Sequence, residues 1–193
     1  MKKKTILQFG KYFTDLEGKQ KGDISWIVLF KTNESMLLIS EKILDYKQFS
    51  GIENNNWDES DLKKWLNTIF LNEAFSKEDM TKLIEFSPEE KVSLLDLDGY
   101  ENFDYFPNYA TLKAERTDYA LSKTKNIYGE LAKSKFGFWW LKTPNKEKNN
   151  NPNSQIKFTE NTYVCHVCNT GKLNKYERAT YEDGVRPVIR IKL

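Results

Sequence analysis

Two stretches decide how this chain reads: Phe138-Trp139-Trp140-Leu141-Lys142-Thr143-Pro144, and Gly184-Val185-Arg186-Pro187-Val188-Ile189-Arg190-Ile191-Lys192-Leu193 at the C-terminal end of the sequence. The first is the apolar run of a buried strand entering a turn. Successive strand side chains point to opposite faces, so Trp139 and Trp140 must face opposite ways. One is therefore expected in a core and the other partly exposed, where it would contribute to any ligand surface over that sheet. In the second stretch, Val185, Pro187, Ile189, Ile191 and Leu193 alternate with Arg186, Val188, Arg190 and Lys192. That is the pattern of a half-buried strand, and Pro187, lacking an N–H, predicts an edge position or a bulge. Arg186 points away from Val185 and Pro187. A buried guanidinium needs carboxylate or carbonyl partners, so Arg186 is expected to tie strands or a loop together rather than touch a ligand. Neither stretch holds a nucleophile, a metal cluster or a phosphate loop.

Working outward, the remaining pattern is α+β. Ile6 to Tyr12 reads as a short strand, and Ile24 to Phe30, apolar on both faces, as a central strand covered on both sides. Thr32-Asn33-Glu34-Ser35 turns it into a hairpin with Met36 to Ile39. Leu62, Trp65, Leu66, Ile69 and Phe70 form one helical stripe behind an N-cap at Asp58 or Ser60. A second, shorter helix starts at Ser76, with Asp79 three residues on close to a capping box and Met80, Leu83 and Ile84 facing inward. Val92 to Leu95 suggests a strand, and Thr117 caps a helical turn. Gln155 to Phe158 and Thr162 to Asn169 read as strands, with a turn at Thr170-Gly171 and a brief return over Lys172 to Lys175.

Composition limits function. With 193 residues, one domain (1–193) with a real core is expected. Thirty basic residues against 28 acidic leave a formal charge of +2 with the signs mixed, which gives no broad footprint for nucleic acid or an anionic membrane. Met1-Lys2-Lys3-Lys4 resembles the start of a signal peptide, but no apolar segment follows, and no run is long enough to span a bilayer. A cytoplasmic protein is the expectation. The segment Lys142 to Gln155, rich in Asn and Lys, has nothing to pack and predicts an exposed loop (142–155), functional or merely disordered.

Candidate chemistry is sparse. Cys165 and Cys168 flank the single histidine, His166, but zinc normally wants four ligands and no second pair exists. Strand alternation also puts the two cysteines on opposite faces, so reduced structural thiols are expected. His166 shares the face of Val164 and Cys168 and reads as a satisfied polar residue. The acidic run from Asp96 to Glu101 fails the calcium-loop template, because position five is Tyr100 and position twelve is Pro107; a solvated turn is the simpler reading. No catalytic residue, metal ligand or cofactor is therefore assigned. Glu101 and Asp104 are the carboxylates left open to a chemical role.

An ordered series of short motifs resembles a bacterial family known only as a domain of unknown function. They are Phe9-Gly10-Lys11-Tyr12, Ile24 to Leu29, Leu37 to Ser40, Trp57 to Ser60, Trp65-Leu66-Asn67 with Phe70, Ala74 to Ser76, Thr117 to Ala120, Trp139 to Pro144 and Gly184 to Pro187. Lys142-Thr143 stands where that family usually has Arg-Ser. The Trp-Trp and Gly-Val-Arg-Pro strands also resemble C-type-lectin-like domains of the formylglycine-generating-enzyme type, which include phage receptor binders. That resemblance implies a mixed fold of small antiparallel sheets, two main helices and long loops, with close N- and C-terminal strands. It implies a non-catalytic recognition module whose loops bind a protein or glycan, with Tyr109, Trp140, Tyr176, Arg178 and Tyr181 as ligand residues. The loop Tyr176 to Asp183 is the best local candidate. A structural component of a phage-like particle is the alternative reading, with an enzyme third; oligomeric state is left open.

Overall fold

In the computed structural model, which describes residues 4–124, 134–146 and 161–193, adjacent residues on the central strands feed two different cores. Trp26 and Ile27, Leu38 and Ile39, Trp139 and Trp140, Val164 and Cys165, and Val188 and Ile189 are all buried. In each pair the two residues belong to opposite apolar clusters. Strand alternation thus makes each sheet a wall covered on both sides.

The first sheet is antiparallel. Its order is β1 (Ile6–Phe13), β2 (Lys21–Lys31), β3 (Ser35–Ser40), then the C-terminal strand β13 (Val188–Lys192), which also pairs with β5 (Leu83–Ile84) and β6 (Val92–Ser93). The second sheet runs β11 (Leu173–Arg178), β10 (Tyr163–Val167), β9 (Trp139–Pro144), β12 (Glu182–Val185) and β4 (Asp45–Gln48), with a parallel contact between β9 and β12. A small pair, β7 (Ala114–Glu115) and β8 (Phe136–Gly137), stands apart. One core is capped by α1 (Asp61–Trp65), a π-helical turn (Leu66–Phe70) and α2 (Leu71–Ala74). The other is capped by α4 (Leu97–Glu101), α5 (Tyr109–Leu112) and α6 (Asp118–Lys123), which contribute Tyr100, Leu112 and Ala120. The architecture is α+β, mostly strand, with sheets antiparallel in all but that one contact. No helix of the described residues is long and apolar enough to cross a membrane.

Several expectations are met locally. Ser60 caps α1 by accepting from the Lys63 N–H. Ser76 and Asp79 form a full capping box on α3 (Lys77–Lys82), and Thr117 caps α6. Others are corrected. Leu83 and Ile84 do not extend α3; they leave the helix to pair with Ile191 and Arg190. Ile69 is 58% exposed rather than inward, because the π turn adds a residue and rotates the stripe. The segment after Asp96 is a helix, with Asp96 capping it through the Gly99 N–H. Lys142 to Pro144 continue β9, and Asn145 is buried and donates to the Tyr163 carbonyl; the rest of the expected loop, and the expected strand over Gln155 to Phe158, lie mostly or wholly outside the described residues.

The C-terminal stretch is not one half-buried strand. Val185 ends β12 in the second sheet, Arg186-Pro187 cross over, and β13 lies inside the first sheet. Pro187 needs no N–H partner at that crossing, and its carbonyl accepts from Ser40 N–H at 2.9 Å. Arg186 ties the crossing to two other segments, donating from Nε to the Ser40 carbonyl at 2.8 Å and from Nη1 to the Leu112 carbonyl at 3.4 Å. The terminal strands β1 and β13 share a sheet, with β2 and β3 between them.

Candidate functional site

A largely apolar groove of about 930 Å³ lies between α4, the segment after it, α5 and the start of β11. Five aromatics fall within ten residues, Tyr100, Phe103, Tyr105, Phe106 and Tyr109, and four of them line the groove. Local polar geometry arranges them. Asn102 accepts from the Asp104 N–H through its side chain and from Tyr105 and Phe106 N–H through its carbonyl. Asn108 then caps α5 through the Thr111 N–H. The result buries Phe106 while leaving Phe103 79% and Tyr109 56% exposed. Leu112 and Leu173 complete the apolar wall, and Glu101, Asn108 and Lys172 bring polar groups.

The hairpin turn after β10 is docked on this wall. Tyr100 Oη donates to the Gly171 carbonyl at 3.2 Å, and burial raises the phenol's pKa. Gly171 has φ +86°, and a Cβ there would overlap the Tyr109 carbonyl. Glycine is therefore required both by conformation and by the approach of α5.

Of the five expected ligand residues, Tyr109 alone lines the groove. Tyr176 lies on β11, 52% exposed and in edge contact with Tyr163. Arg178 is paired with Glu53 at 3.2 Å. Tyr181 is exposed at the turn between β11 and β12, its N–H bonded to the Arg178 carbonyl. The expected loop from Tyr176 to Asp183 is thus two strands and a tight turn. Trp140 is completely buried, its Nε1 donating to the Lys47 carbonyl at 2.9 Å. It cannot touch a ligand, and neither Trp of the pair reaches the surface, because both faces of β9 are covered.

A second polar assembly draws its members from three strands. His166 on β10, Glu177 on β11 and Asp183 on β12 converge although 17 residues separate His166 from Asp183. His166 Nδ1 lies 2.5 Å from Asp183 Oδ2 and 3.6 Å from Glu177 Oε2, and the ring stacks on Phe138. Burial by itself would lower the imidazole pKa. The Asp183 hydrogen bond, the nearby Cys168 sulfur and the two carboxylate charges outweigh it and raise the pKa to about 10. Burial also pushes the Glu177 carboxyl up. One His and two carboxylates could in principle hold a cation. The short Nδ1 to Oδ2 separation is instead that of a charge-assisted hydrogen bond, and the nitrogen without a hydrogen-bond partner is Nε2. Burial pushes the Asp183 carboxyl up as well, against the bond from His166, so what the geometry establishes is a buried His166–Asp183 hydrogen bond that clasps β10 to β12 across β9.

The groove residues Phe103, Phe106 and Leu173 were missed, although the aromatic density after Tyr100 was a usable signal. The clasp had none, since its members are on three strands. Comparison with curated proteins and with solved structures finds no match. Residues 33–99, 67 of the 193, match the model of a family described as a domain of unknown function (DUF6273), a segment running from the turn before β3 into α4 and supporting a relation to that family without reaching any residue that lines the groove or forms the clasp.

Proposed function

We propose that this chain is a non-catalytic recognition module that seats an apolar side chain of a protein segment in the aromatic groove. The observation that carries this reading is the exposure of Phe103 and Tyr109 at the mouth of a concavity walled by Tyr100, Phe106, Leu112 and Leu173. Exposed aromatics beside a pocket supply large contact area at low entropic cost. Burying one on binding is worth about 1.5–3 kcal/mol. Glu101 and Lys172 offset each other in charge, which suits an uncharged segment rather than nucleic acid or an anionic membrane. Phe103, Phe106, Leu112 and Leu173 give the groove an apolar wall suited to an apolar peptide side chain. The lectin-like scaffold belongs to this reading as well: a rigid mixed core presenting an irregular aromatic segment agrees with it.

The test is selection of a displayed random-peptide library on the full chain, with Phe103→Ala and Tyr109→Ala as counter-screens. Peptides bearing an aromatic or aliphatic anchor are expected to enrich on the wild type and to bind each variant about tenfold or more weakly. Both variants should keep stability within about 0.5 kcal/mol, because the side chains are exposed. No peptide dependent on these residues would overturn the reading. Glycan-array binding lost in the same variants would replace the peptide with a sugar, and self-association lost in them would favour the assembly alternative.

A further inference from the structure

Arg186 is completely buried, and no carboxylate forms an ion pair with it among the described residues. Its Nε and Nη1 reach carbonyls of Ser40 and Leu112, and Nη2 has no hydrogen-bond partner. The guanidinium lies over the rings of Trp139 at 4.9 Å and Phe106 at 5.9 Å. Ring faces give diffuse attraction but accept no strong hydrogen bond in place of the missing one. Burial holds the pKa down to about 9, only partly offset by the charge of Glu41. A buried cation left this way is costly, and native structures normally pair it.

Arg186 also forms part of the wall of a separate cavity of about 220 Å³. Three further cations line it, Lys4, Lys42 and Lys113, against two carboxylates, Glu41 and Glu115. Glu115 is already engaged by Lys135 at 2.7 Å, so the lining is net positive. Lys4 donates to the Thr111 carbonyl at 3.1 Å, and Lys113 lies over the Phe136 ring. The space far exceeds the roughly 10–15 Å³ that one water needs and is below the roughly 300 Å³ at which drug-sized pockets begin. That is room for one small anion.

We propose that this cavity is a binding site for a small oxyanion, a phosphate or carboxylate group, with the buried guanidinium of Arg186 in its wall and the lysines as its rim. Guanidinium matches such groups in geometry as well as charge. Arg186 has no exposed surface of its own, so the rim side chains shift to admit the anion. The site is distinct from the aromatic groove, although Phe106 and Leu112 connect the two, and the proposal does not rest on the groove having a ligand.

The experiment titrates the full chain with inorganic phosphate and, separately, with acetate, at ionic strength matched by sodium chloride, following the Arg186 Nε–Hε resonance by NMR. A saturable shift with phosphate or acetate and not with chloride is expected, and the anion that acts more strongly assigns the class. Lys42→Ala and Lys113→Ala should each weaken the response about two- to fivefold, the scale of an exposed charge contact. These rim variants carry the test because Arg186→Lys risks unfolding the crossing. An unmoved Arg186 resonance, equal shifts in chloride, or affinity unchanged in both lysine variants would overturn the proposal. Phe103→Ala should leave the titration unaltered, so failure here is separable from failure of the groove reading.

Discussion

Two buried charged residues, His166 and Glu90, set opposite ends of the expected pH dependence. His166 has a folded pKa of about 10, above the ordinary 6.5. Its contribution is therefore fully present below about pH 6.5 and is lost as pH rises through 10. Glu90 shows the reverse sign. Burial opposes its charge, but hydrogen bonds from Ser93, Ser87, Trp57 and Lys63 prevail and hold the pKa down to about 2. That stability is present above the ordinary 4.5 and is lost as pH falls through 2. Urea midpoints measured from pH 2 to 10 should fall at both ends. Asp183→Asn is expected to flatten the alkaline limb and to destabilise the protein by about 3–5 kcal/mol, because it removes the carboxylate charge nearest a buried imidazole. Glu90→Gln should flatten only the acid limb; an unchanged acid limb would show that Glu90 is not held ionised. The sequence suggested only that His166 was a satisfied polar residue, since its partners lie on other strands.

Elements were legible wherever a local signal sufficed. Ser76 and Thr117 are legible as caps, and the first cap as Asp58 or Ser60, of which the structure uses Ser60 for α1, because capping depends on residues within one turn. Ile69 was misassigned because a π turn changes the angular step without any residue announcing it. Tyr176 to Asp183 reads as a loop because it has no alternation of apolar and polar residues; pairing with β10 and β4 makes strands of its two ends. The turn at Gly171 joins element and groove. Gly171→Ala is expected to cost at least about 1 kcal/mol from the positive φ alone, and more from overlap with α5. Thermal unfolding would show the loss, and amide shifts of Tyr100 and Tyr109 would show the groove disturbed; unperturbed shifts would mean the turn does not hold α5.

At the scale of the whole molecule, the two cores share their strands, so neither is independent. Leu66 lies in one core and Leu112 in the other. Leu66→Ala and Leu112→Ala should each cost about 2–5 kcal/mol and lower a single transition followed by both tryptophan fluorescence and far-UV circular dichroism. Two separated transitions would mean that the layers unfold apart. By itself the sequence determined the α+β class, the first hairpin, the helical stripe apart from Ile69, the caps at Ser76 and Thr117 and the opposed directions of Trp139 and Trp140, because these follow from periodicity and from contacts within a few residues. Tertiary structure alone decided that both tryptophans are covered, that the Gly-Val-Arg-Pro stretch crosses between sheets, and that His166 meets Asp183. Each depends on which strands become neighbours, and a pattern that repeats every two residues specifies a face without specifying what will be packed against it.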